Sequence, residues 1–204
     1  MRDDTLAAFL DRLAARVPAP GGGATAALHA AQAAALLAMV ARYSDGARYD
    51  AELMRRIVTE ADELREDALA LAEADADAFR AVAAAYRLPH ETEAERTARS
   101  ESISSALAGA ARPPADVVRT ALLLVSLAED LWPAGNRSMI TDVAAAAEAA
   151  RAAAVTARLI IEVNLKGITD PVLAEEFGAA AAAAGPVAER ADTIVAAVRA
   201  EVAR

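Results

Sequence analysis

Between Leu53 and Tyr86 larger apolar side chains recur at Leu53, Ile57, Leu64, Leu71, Phe79, Val82 and Tyr86, and Ala61, Ala68 and Ala78 complete the steps of three and four. A 3.6-residue period held over that length requires a helix with one buried stripe. The rest of the chain agrees. Alanine, arginine, glutamate and leucine dominate, β-branched clusters are few and an alternating period is almost absent, so the expected fold is all-α. Helices are expected to begin near Asp4, Gly22, Asp50, Glu93, Pro114, Asn136 and Pro171, giving a bundle of about seven long, alanine-rich helices. Breaks are expected at Pro18 to Gly23, Ser44-Asp45-Gly46, Leu88-Pro89-His90, Arg112-Pro113-Pro114, Pro133-Ala134-Gly135 and Gly167. Gly185-Pro186 should bend or split the last helix, because proline removes a donor and clashes with the preceding turn. No linker is long or polar enough to divide the chain, which reads as one domain over residues 1–204.

The formal charge of −9 argues against nucleic acid and against an anionic membrane surface as partners. The absence of cysteine excludes disulfides, thiolate zinc sites and a cysteine nucleophile, and His29 and His90 lie too far apart to suggest metal ligands. Asp3, Asp4 and Asp11 interrupt any apolar leader. The uncharged run from Gly21 to Ala41 has the length of a membrane span, but it is mostly alanine with His29 and Gln32 inside. A buried core helix is therefore expected, in a soluble, cytoplasmic protein without a metal.

Asp75 is the next member of the apolar stripe after Leu71. A carboxylate there is costly unless it is paired, hydrogen-bonded or protonated. It is either a helix-to-helix hydrogen-bonding partner or a functional group, whereas Asp77 projects onto another face and can be a solvated charge. In the helix near Asn136, one face carries Asp142, Ala146, Ala149, Ala153, Ala157, Ile160 and Asn164. Such a smooth alanine face suits tight helix packing or a dimer interface. Asp142 and Asn164 would stand roughly 33 Å apart along an uninterrupted helix, too far to serve one small site in the same subunit. Gly135-Asn136 reads as a cap, whereas Asp142 falls almost two turns in, too deep for that role. Pro20-Gly21-Gly22-Gly23 is either a tight turn or a set of free helix-start amides that attract anions and carboxylate oxygens. It is neither a dinucleotide fingerprint nor a phosphate-binding loop of the Gly-Lys-Ser/Thr type.

Four blocks in order, FLDRLAARVPAPGGGATAAL, DADAFRAVAAAYRLPHETEAER, GNRSMITDVAAAA and IIEVNLKGITD, resemble the cyclodeaminase/cyclohydrolase family. This family includes the C-terminal half of formiminotransferase-cyclodeaminase and the stand-alone methenyltetrahydrofolate cyclohydrolases. The resemblance implies an all-helical subunit that forms a homodimer or higher homo-oligomer and binds a reduced folate at or near the subunit interface. It also implies chemistry on the one-carbon bridge of tetrahydrofolate, with no cofactor beyond that substrate. A cyclohydrolase adds water to the 5,10-methenyl bridge to give the 10-formyl form; a cyclodeaminase closes the 5-formimino form and releases ammonia. By resemblance, Asp75 or Asp142 is the general acid/base, and Asn136, Asn164 and the backbone of Pro20, Gly21, Gly22 and Gly23 orient the substrate. Arg48, Arg87, Arg137 and Lys166 are then candidates for its anionic glutamate tail. The chain departs from the family pattern at Asp45 to Tyr49, where many members are more basic. It departs again at Arg87 and His90, where lysines are usual, and at Met139 and Thr141. With no counterpart of the formiminotransferase half in these 204 residues, a cyclohydrolase is favoured over a cyclodeaminase. A non-catalytic folate-binding or assembly protein is the alternative from another class.

Overall fold

The periodic segment folds as one helix of 35 residues, Ala51–Ala85, in a computed structural model that describes residues 4–204; the first three residues of the expected domain lie outside the described ones. In chain order the elements are α1 (Leu6–Ala14), α2 (Gly22–Arg42), α3 (Ala51–Ala85), α4 (Glu93–Ala134), a 3₁₀ turn (Arg137–Met139), α5 (Ile140–Leu165) and α6 (Pro171–Val202). All elements among the described residues are helical, as the period requires. The described residues form six α-helices, not seven. Their starts are written locally. Thr5, Asp50, Thr92 and Asp170 each accept backbone N–H bonds as caps, Thr92 forms a reciprocal capping box with Glu95, and Pro171 takes the first turn of α6.

The expected break at Arg112-Pro113-Pro114 does not occur. α4 runs through both prolines, which are buried, for 42 residues. Pro114 has no N–H to give the carbonyl of Ala110, one turn earlier. The side chain of Asn164 supplies the missing donor, with Nδ2 at 3.2 Å from that carbonyl. A helix from elsewhere in the fold thus satisfies what the proline leaves open. Nor does Gly185-Pro186 split α6, which is continuous for 32 residues. There the carbonyl left without a donor belongs to Ala182, and both Ala182 and Pro186 lie on the solvent face, where water can serve.

α2 is the central helix, covered by α3, α4 and α5. It is long and apolar enough to cross a membrane by composition alone, and here that apolarity is core. It runs antiparallel to α3, with Arg42 paired to Asp62 at one end and Gly23 against Asp75 at the other. It is also antiparallel to α5: Gly22 faces Ile160, while Ser44, just beyond its C-terminus, accepts the Asn136 N–H at 2.8 Å. Ala146, Ala153 and Ala157 are fully buried in this packing. The alanine face expected to serve tight packing or a dimer is thus occupied within the subunit. Alanine is the best helix former and lets backbones approach closely, so each buried methyl adds roughly 0.8 kcal/mol without side-chain entropy loss.

α3 and α4 are antiparallel as well, in a register held from Arg56–Asp130 (2.6 Å) to Arg99, whose Nη2 donates to the Tyr86 carbonyl at 3.1 Å. The α3 stripe is buried at Ile57, Ala61 and Ala68 but emerges beyond Asp75, where Phe79 is 47% and Tyr86 52% exposed. α2 begins opposite Asp75, so nothing from α2 covers the stripe past that point. The expectation of one buried stripe holds only as far as its neighbour does.

The Asn164–Ala110 bond gives a prediction. Asn164→Ala should cost about 1–2 kcal/mol, because a buried carbonyl loses its donor. In a Pro114→Ala background, where residue 114 regains an N–H, the cost should shrink by about 1 kcal/mol. Urea unfolding of the four proteins measures this coupling, and strict additivity would contradict it.

Candidate functional site

α2 starts with no side-chain cap. Its N-cap is Gly21, in extended conformation, after a buried Pro20. The first amides of the helix therefore lack a local acceptor. Asp75 of α3 comes to them instead. A Cβ on Gly23 would lie 1.9 Å from Asp75 Oδ1 and 2.2 Å from Cγ, so only glycine admits the carboxylate here. Burial pushes the Asp75 carboxyl above its ordinary range, and the Ala24 backbone N–H partly draws it back. Asp75 thus fills the helix-to-helix hydrogen-bonding role weighed from the sequence, at the start of α2, and its carboxyl is desolvated there.

Asp75 opens onto a cleft of about 280 Å³ lined by Phe79 and Val82 of α3, Ala110 of α4, and Leu159, Ile160, Val163 and Asn164 of α5. Because Asn164 spends Nδ2 on the Ala110 carbonyl, its Oδ1 is left without a protein partner at the cleft wall. The remaining surface is apolar, with Leu159 and Val163 58% and 65% exposed. One carboxyl and one amide oxygen on a greasy wall can hold a flat, partly polar ligand and move one proton on it. By contrast, a larger open depression of about 610 Å³ lies along Asp50 to Glu60, on one charged face of α3. Arg56 is already paired there with Glu60 and Asp130, and no buried acid faces it.

The structure brings together Asp75, Gly23 and Asn164; Gly22 faces Ile160 of the same cleft, and Pro20 and Gly21 immediately precede it in the chain. It does not bring Asp142 to them. Asp142 lies in the first turn of α5, not two turns in, because the helix proper starts at Ile140 after the 3₁₀ turn. A carboxylate in a first turn is favoured by the helix dipole. Asn136 is engaged at both ends of its amide. Its Oδ1 accepts the Ser138 N–H at 3.1 Å and its Nδ2 donates to the Tyr43 carbonyl at 3.0 Å, tying the end of α2 to the start of α5. Arg48 stacks on Tyr49 and Arg137 on Trp132, both at that far end. Arg87 and Lys166 are exposed just beyond α3 and α5, at the cleft end. Sequence reasoning missed Ala110 and the wall formed by Leu159 and Val163. The Pro113-Pro114 pair, which frees carbonyls, was the available signal for Ala110.

Residues 5–183 match the sequence model of Formiminotransferase-cyclodeaminase. The chain belongs to this family. It is 35% identical over 177 residues to the methenyltetrahydrofolate cyclohydrolase of Methylorubrum extorquens, covering 85% of both chains. It is 34% identical to the formimidoyltransferase-cyclodeaminase of Rattus norvegicus, again over 85% of this chain but only 33% of that longer protein. The fold superposes on the crystal structure of formiminotetrahydrofolate cyclodeaminase from Thermotoga maritima with a TM-score of 0.81 and 30% identity, over 97% of this chain and 98% of that one.

The two glycines at the start of α2 should respond differently to the same change. Gly23→Ala forces carboxylate and methyl into one space and should cost about 1–3 kcal/mol. A Cβ on Gly22 meets only Ile160 Cδ1 at 3.7 Å, an ordinary contact. Gly22→Ala should therefore be neutral or stabilising by up to about 1 kcal/mol. Thermal melts decide this, and equal effects would contradict the close approach.

Proposed function

We propose that the Asp75–Asn164 cleft binds a reduced folate and that the chain hydrolyses 5,10-methenyltetrahydrofolate to 10-formyltetrahydrofolate. The observation that carries this is the Asp75 carboxyl, desolvated in an apolar cleft at the bare start of α2. The kinship with a cyclohydrolase of matching length supports it. Water adds to the cationic methenyl carbon, and the Asp75 carboxylate takes the proton that water gives up. The resulting carbinol, tetrahedral between N5 and N10, then loses its hydroxyl proton as the carbon–N5 bond breaks. N5 receives a proton from Asp75, so one proton is released overall. A carboxyl with a raised pKa is suited to both transfers near neutral pH. Asn164 Oδ1 accepts a hydrogen bond from the bound pterin or from the attacking water.

A second copy completes this site. Asp142 and Asn136 stand at the opposite end of α5, and the outer face of α5 carries exposed Val155, Leu159 and Val163. A homodimer pairing α5 with its counterpart in antiparallel sense brings the second copy's Asp142 toward the cleft. The cyclodeaminase reaction is a second reading, favoured by the likeness to the Thermotoga maritima protein along almost its whole length. The same carboxyl then protonates the departing ammonia.

Loss of the methenyltetrahydrofolate absorbance, measured against buffer, tests the assignment; 5-formiminotetrahydrofolate is assayed in parallel. Asp75→Asn should lower kcat by about 100-fold or more. If Asp142 acts across the dimer, Asp142→Asn also loses turnover, and mixing the two inactive proteins restores part of it. Wild-type rates in a folded Asp75→Asn protein sink the assignment. Wild-type rates in Asp142→Asn sink only the shared site.

A further inference from the structure

We propose that Arg99 is the anchor for the carboxylates of the substrate's glutamate tail, a position that rests on the folate reading above. The half-buried arginines among the described residues are Arg65, Arg99, Arg151 and Arg190, and Arg65, Arg151 and Arg190 each have a carboxylate partner within 4.0 Å. Arg99 has none. Its Nη2 donates to the Tyr86 carbonyl, its guanidinium stands 5.7 Å from the Tyr86 ring centroid, and its Nε is buried without an acceptor. Of the acids on the preceding turns, Glu95 closes the cap of α4 and Glu93 pairs with Arg96 at 2.8 Å; Glu101, two residues on, is exposed on another face of the helix. A half-buried guanidinium without a carboxylate partner is free to take an anion.

The α3–α4 register fixes where that anion would come from. Asp75 lies by Ala110 at the cleft, and Tyr86 lies by Arg99, so Arg99 stands on the same pair of helices about 17 Å away, eleven residues on each. Between the two ends lie Phe79 and Val82 on α3 and Ile103 and Ala106 on α4, all at least partly exposed. Along the α3–α4 seam the order is thus a hydrogen-bonding end, an apolar middle and a cation. A reduced folate presents a hydrogen-bonding bicycle, an aromatic ring and carboxylates in the same order. Arg87 and Lys166 are exposed and must be ordered to bind. Arg99 is already held by Tyr86, which lowers the ordering cost, and its planar fork suits a carboxylate.

The test compares 5,10-methenyltetrahydrofolate with its analogue lacking the glutamate, using wild type, Arg99→Met and Arg99→Lys. Arg99→Met should raise KM for the complete substrate about tenfold or more, leave kcat within about twofold, and leave KM for the tail-less analogue unchanged. Arg99→Lys should recover part of the loss. Equal effects on both substrates, or no effect on either, overturn the assignment, as does a wild type indifferent to the tail. Should Arg99→Met fail to fold, the wild-type and Arg99→Lys comparison decides alone. If wild type turns over neither folate, the proposed function fails, and calorimetry with p-aminobenzoylglutamate still judges Arg99. Binding by wild type that Arg99→Met loses supports the anchor, while equal or absent binding removes it.

Discussion

The contact on which the rest depends is between the Asp75 carboxylate and the bare start of α2. A helix that begins with glycines and no capping side chain leaves its first amides unsatisfied. A carboxylate on an apolar stripe is equally unsatisfied. Each resolves the other's difficulty, and the absent Cβ of Gly23 is the geometric condition for it. This one contact ends the coverage of α3 by α2, so the stripe beyond Asp75 opens as a cleft wall. It also leaves the carboxyl poised: the amide favours the charged form, and burial disfavours it more. The packing of α2 on α3 and the desolvation of the carboxyl follow from a single placement.

A second compensation faces it across the cleft. Pro114 frees the Ala110 carbonyl, Asn164 fills the vacancy, and the amide is thereby held with its oxygen unspent. Two local faults, an uncapped helix and a proline in mid-helix, are each mended from another helix, and both repairs line the same 280 Å³ space. Where several elements depart from local rules and meet, a functional site is the expected result.

Much of this was legible beforehand. The period of α3, the helix starts near Asp50, Glu93 and Pro171, the start of α2 at Gly22 and the place of Asp75 on the apolar stripe are local facts, and they hold. What was not legible depends on neighbours. The cost of Pro113-Pro114 turns on whether a donor from elsewhere reaches the freed carbonyl, which no local rule states. The alanine face of α5 has the same pattern whether α2 or a second chain covers it. Asp142 looked deep in a helix only because the 3₁₀ turn at Arg137–Met139 shifts the true start to Ile140. The isolation of Arg99 emerges only from the α3–α4 register.

The most direct test of this arrangement is a carbon-13 NMR titration of the Asp75 carboxyl in the folded protein. The carboxyl should titrate above its ordinary value of 3.8 and respond to added folate. The linkage sign follows: a raised folded pKa means stability that is present below the ordinary value and lost as pH rises through the raised one. A midpoint at or below the ordinary carboxylate value, unmoved by folate, would contradict both the desolvated acid and its place in the cleft.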